Sequence, residues 1–105
     1  MNYIEGIICR ETLLKATGKT LKRIRKKYSG LRQSDLSEKS NVSKNAISLI
    51  ETGQIAPTID TIFRLCAVLE IDEVEFIAAI QKEYRALNKD AYIKKQALAT
   101  YTNLL

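Results

Sequence analysis

The sequence contains no histidine, one proline, four glycines and two cysteines. Without histidine it lacks the commonest general base and any Ser-His or Cys-His nucleophile pair. Cys9 and Cys66 stand far apart with no CxxC spacing, which is too few ligands for zinc. Both cysteines read as small buried hydrophobes. No spacing of carboxylates or lysines suggests catalysis, and there is no phosphate loop, so neither an enzyme nor a metal or cofactor is expected. Scarce proline and glycine beside 46% hydrophobic residues argue for a helical globular chain, against disorder or a β-sandwich. No apolar run approaches the ~20 residues of a membrane span. The start, MNYIEGIICRE, lacks a basic stretch followed by a long apolar one. A cytoplasmic protein without membrane contact is expected.

What is present is length for one core and an uneven charge. At 105 residues two independent cores would be hard to fill. The net charge of +5 is concentrated at the front: residues 1–30 hold eight Lys or Arg against Glu5 and Glu11. Residues 61–80 carry one basic residue against four acids, and residues 81–105 are basic again. A basic first third suits a polyanion partner, although a lysine-rich helix face is more often simply solvated.

Apolar residues recur at helical spacing nearly throughout. Leu13, Leu14, Thr17, Leu21, Ile24 and Tyr28 share one side of a first helix that Ser29-Gly30 stops; an interruption at Gly18 is left open. A short helix follows from about Gln33 to Ser40, with Leu36 inward and Asn41 suited to a left-handed turn. Ser43 caps a helix from Lys44 to about Thr52, which Gly53 terminates. Pro57-Thr58 opens a fourth helix, Ile59 to Leu69, with Ile59, Ile62, Phe63, Leu65, Cys66 and Leu69 apolar. Asp72 and Glu75 are placed for a capping box on a fifth. Glu70, Asp72, Glu73 and Glu75 are read as helix-start electrostatics, ahead of a surface for polymerase. From Ile77 the stripe Ile77, Ile80, Tyr84, Leu87, Ala91 alternates threes and fours, then shifts toward Leu98, Tyr101 and Leu105; Asn88-Lys89-Asp90 has the composition of a turn.

Two short helices joined by three or four residues, with Leu36, Val42, Ile47 and Ile50 inward, form the spacing of a helix-turn-helix. Packing Ile47 and Ile50 inward turns Lys44, Asn45, Ser48 and Leu49 outward. Asn can bond adenine bidentately, Lys can reach guanine, and an aliphatic group can meet the thymine methyl.

The stretch QSDLSEKSNVSKNAISLIETGQIAPTIDTIFRLCAVLEID, preceded by LKRIRKKYSGLR, resembles the phage-repressor (Cro-type, or xenobiotic-response-element) helix-turn-helix family over about Leu21 to Ile77. The family pattern matches at Gln33, Leu36, Ser37, Asn41, Val42, Ser43, Ile47, Ser48, Glu51, Gly53 and Pro57. The resemblance implies an all-α, five-helix lambda-repressor-like domain at 17–80, with extra helical segments at 1–16 and at 81–105. It implies that Gln33 bonds a backbone phosphate and braces the recognition helix, and that Ser43 caps that helix and touches phosphate. Lys44, Asn45 and Leu49 would meet bases, beside Ser48, with Gln54 from the following loop. Glu51 would pair with a basic residue late in the first helix, such as Lys26, and Ile47, Ile50, Ile62, Leu65, Cys66 and Leu69 match family core positions, a small residue being usual at that of Cys66.

There are departures. Arg32 replaces the usual Ser or Thr cap, which should forgo about 1 kcal/mol of capping, and is expected to contact a phosphate instead. The loop Gln54-Ile55-Ala56 lacks the usual basic residues, so phosphate attraction must come from the first helix or Arg32, and Ile55 is a candidate dimer contact. Glu70 stands where Gly or Asn is usual, so that turn is expected to differ. The expected function is a sequence-specific DNA-binding transcriptional regulator, a repressor, that binds a palindromic operator on double-stranded DNA. It would do so as a homodimer built by the flanks, 81–105 above all. The alternative is an antitoxin or anti-regulator whose main role is to bind a regulatory protein partner.

Overall fold

A computed structural model describes residues 9–88, which form five α-helices and no strand. They are α1 (Arg10–Ile24), continued by a π-helical turn (Arg25–Ser29), α2 (Gln33–Ser40), α3 (Lys44–Glu51), α4 (Ile59–Leu69) and α5 (Glu73–Leu87). The expectations for Ala91, Leu98, Tyr101 and Leu105, and most of the 81–105 segment, lie outside the described residues.

Local chemistry sets most of the boundaries. Ser43 Oγ accepts the Ala46 N–H at 3.0 Å, Thr58 Oγ1 that of Thr61 at 3.1 Å, and Asp72 Oδ1 that of Val74 at 2.7 Å. Each satisfies a donor that has no partner inside its helix. Gly30, Asn41 and Gly53 take the left-handed conformation that ends a helix. Glu70 takes it as well, at φ 56°. The turn that was expected to differ therefore keeps the glycine geometry, with a side chain forced into it.

α1 is the central helix, packed along α5 on one side and against α3 on the other, while α2 packs on α3 and α4. Leu21 and Ile24 of α1 meet Leu36, Val42, Ile47, Ile50, Ile62, Leu65, Cys66, Leu69, Phe76 and Ile80 in one buried cluster. Gly18 does not interrupt α1. It lets the last turn of α3 approach: a Cβ there would lie 2.6 Å from the Glu51 carbonyl oxygen and would press on that of Ile50 too. Residues Arg10–Ala16, assigned from sequence to a separate extension, are the first turns of this same helix.

One helix face differs from the sequence reading and another follows it. On α5 the inward line is Phe76, Ile80 and the half-buried Tyr84, whereas Ile77 and Leu87 are exposed. On α4, Ile62, Leu65, Cys66 and Leu69 are buried, the four core positions expected, while Ile59 and Phe63 face outward. No helix among the described residues is long and apolar enough to cross a membrane.

Candidate nucleic-acid interface

The second helix of the motif, α3, is fixed by a buried ionic cluster at its last residue. The Arg25 guanidinium donates from Nε to Glu51 Oε2 at 2.7 Å and from Nη2 to Glu51 Oε1 at 2.9 Å. Its remaining nitrogen, Nη1, donates to the Leu31 carbonyl at 2.8 Å. Gln33 Nε2 gives Glu51 Oε1 a third bond, at 2.9 Å. The side chains of Arg25 and Glu51 are 7% and 3% exposed. A carboxylate with three donors in a dry site thus ties α1, the loop before α2, the first residue of α2 and the end of α3 together. The same bonds to Glu51 push the Arg25 pKa above its ordinary value.

The expected partner of Glu51 was a basic residue late in the first helix, such as Lys26; the structure gives such a residue in Arg25, and Lys26 itself is exposed. Regular helical spacing is the reason. Arg25 lies one α-helical turn after Leu21 and continues the inward face, while Lys26 falls outside it. The wider turn that follows closes with the Gly30 N–H on the Arg25 carbonyl and takes up one more residue than an α turn. It also carries Tyr28, expected inward, out to 73% exposure, where Lys27 sits over its ring at 5.9 Å. Nothing in KRIRKKYS marks a π turn.

With Ile47 and Ile50 held inward, α3 presents Ser43, Lys44 and Asn45 exposed at its first turn, with Ser48 and Leu49 partly exposed beside them. The helical repeat puts Lys44, Asn45, Ser48 and Leu49 on one face, with the Ser43 cap at the N-terminal end. Gln54 is exposed in the turn after α3, where its Nε2 donates to Thr52 Oγ1 at 2.8 Å. Gln33 sits half-buried at the start of α2, bonded to Glu51 as a brace.

Arg32 occupies the N-cap of α2 without capping it by its side chain. Asp35 supplies the missing chemistry: its Oδ2 accepts the Arg32 backbone N–H at 3.1 Å, and its carboxylate holds the Arg32 guanidinium at 3.0 and 3.1 Å. The exposed pair lowers the Asp35 pKa below its ordinary value, the Arg32 side-chain bonds contributing most. Sequence reasoning had no role for Asp35, although an acid three residues past a helix start is a signal for one. Among the described residues no group of His, Cys, Asp and Glu is placed to hold a metal ion.

A family model described as helix-turn-helix matches residues 21–76, more than half of the chain. The chain belongs to the Cro/C1-type helix-turn-helix family. This is a family of DNA-binding transcriptional regulators, and it points away from enzymatic chemistry. No curated protein sequence matches the chain. Among solved structures the clp gene regulator ClgR from Corynebacterium glutamicum is similar in fold, with a TM-score of 0.66. It is 20% identical, over 85% of this chain and 88% of that one.

Proposed function

We propose that this helix-turn-helix regulator is a cytoplasmic repressor that binds a palindromic operator as a homodimer, reading base edges with Lys44, Asn45 and Leu49. The observation that carries this reading is the Glu51 cluster. It fixes α3 from behind at four points of the chain and leaves the first turn of α3 unpaired and exposed. A rigid helix with free Lys and Asn at its N-terminal end suits the major groove. Ser43 and Gln33 stand beside it for phosphate contact, with Arg32 and Gln54 at the two edges. Occupancy of an operator is enough to block polymerase, which favours repression.

The test is selection of bound duplexes from a random pool. A palindromic consensus is expected, and Asn45→Ala and Lys44→Ala should each lose about 1–3 kcal/mol of discrimination at their base positions. Failure of the wild-type protein to enrich any sequence at moderate salt would remove the reading.

A partner-binding role, as antitoxin or anti-regulator, is the second reading. It is favoured by one observation: Ile59, Phe63, Val74 and Ile77 are 70%, 54%, 76% and 48% exposed on α4 and α5. An apolar face of that kind commonly marks a protein contact.

A further inference from the structure

Beside the π turn lies a cavity of about 380 Å³, bounded by the end of α1, the α4–α5 turn and the first half of α5. That volume falls within the ~300–1,000 Å³ typical of small-molecule sites. Ile24, Leu69, Ile71 and Ala79 give it apolar walls. Two irregularities of the backbone border it. The π turn brings Tyr28 to its lining, and Glu70 lines it from a left-handed conformation at φ 56°. Widened helical turns and strained residues recur at functional sites.

Charge sets the class of ligand. Glu70 and Glu75 line the cavity and have no ion pair among the described residues. Arg23, the basic residue in the lining, is already held by Glu83 at 3.1 Å. The cavity thus carries uncompensated negative charge in a chain whose net charge is +5. Tyr28 favours the same sign of ligand: its ring already has Lys27 Nζ at 5.9 Å from its centre, and an aromatic face attracts cations. An anion would be repelled by the two carboxylates, and a neutral molecule would gain nothing from them. None of the residues proposed to touch DNA lines the cavity. Ile24 does adjoin Arg25, so an occupant contacts the turn from which Arg25 braces Glu51 and α3.

We propose that this cavity is a binding site for a small organic monocation, an ammonium or guanidinium group carried on an apolar or aromatic body. The carboxylates of Glu70 and Glu75 hold the cation, and Ile24, Leu69 and Ile71 take the body. The inference is independent of the DNA-binding reading above.

The experiment titrates the full chain with benzylammonium, benzyl alcohol and phenylacetate, followed residue by residue in amide NMR spectra. Benzylammonium should shift Ile24, Tyr28, Ile71 and Ala79 and saturate. Benzyl alcohol and phenylacetate should bind about tenfold more weakly or not at all. Glu70→Gln and Glu75→Gln should each weaken benzylammonium by about two- to fivefold, the weight of one exposed ion pair. Asp60→Asn removes the same charge at the opposite end of α4 and should change nothing. Melting temperatures of the Gln variants should stay near that of wild type, since both side chains are exposed. Benzylammonium that shifts none of these residues, that binds no better than benzyl alcohol, or that binds the double Gln variant as tightly as wild type overturns the proposal.

Discussion

Arg25 shows how one side chain is committed by its surroundings. A guanidinium taken out of water is tolerated only when its donors are met, and here Glu51 and the Leu31 carbonyl meet all three nitrogens. Glu51→Ala leaves that charge buried and unpaired, so it should destabilise the fold by about 3–5 kcal/mol, read as the shift in a urea melt. A loss under 1 kcal/mol would mean that water replaces the carboxylate. Cys66 illustrates the opposite case, a group kept neutral. Burial, with smaller contributions from Glu73 and Asp72, pushes its thiol up from 9.0 to about 11. The folded state thus holds the proton more tightly than the unfolded chain does. Stability should be unaffected by this group below pH 9.0 and should fall as pH rises from there toward about 11. Melts of wild type and Cys66→Ala across that window check it, and parallel curves would refute it. Cys9 differs again: half-exposed, it accepts the Thr12 hydroxyl at 3.1 Å, which lowers its pKa.

Elements were legible in the sequence where a local interaction decides them. Ser43, Thr58 and Asp72 each sit immediately before an apolar periodic run, and their oxygens find the N–H groups that such a position leaves open. The outward face of α3 followed from the same periodicity, because Ile47 and Ile50 leave the rest of the helix only one way to turn. Geometry without a compositional mark was not legible. The π turn after Ile24 turned Tyr28 out, and no residue type in that stretch announces it. Glu70 lies between these cases, since its position announced a left-handed turn and its identity argued against one. An L-residue in that conformation costs roughly 1–2 kcal/mol, part of which glycine gives back in unfolded-state entropy. Glu70→Gly should accordingly stabilise the protein by about 0.5–1 kcal/mol, measurable as a raised melting temperature, whereas a fall would show that the Glu70 side chain makes a stabilising contact.

At the scale of the molecule the open question is how two copies would meet, because half-sites about one helical turn apart require a fixed dimer. Sequence placed the interface in 81–105, but that segment is not uniform. Glu83 pairs with Lys19 and Arg23, and the Tyr84 hydroxyl accepts the Cys9 backbone N–H at 3.1 Å and the Asn88 side-chain amide at 3.4 Å. Residues to Asn88 thus belong to the domain itself, and a truncation after Ile80 would strip α1 of its partners as well as any dimer contact. The informative cut falls after Asn88. If the flank builds the dimer, a chain ending there should sediment as a monomer in analytical ultracentrifugation while keeping the wild-type helical signal. Its operator affinity should drop more than that for a single half-site, since only the paired site depends on dimerisation. The exposed face of Ile59, Phe63, Val74 and Ile77 offers the competing surface. A truncated chain that remains dimeric, and that Phe63→Glu then dissociates, would move the interface there, because a charge introduced at the centre of an apolar contact is costly to bury and harmless on a free surface.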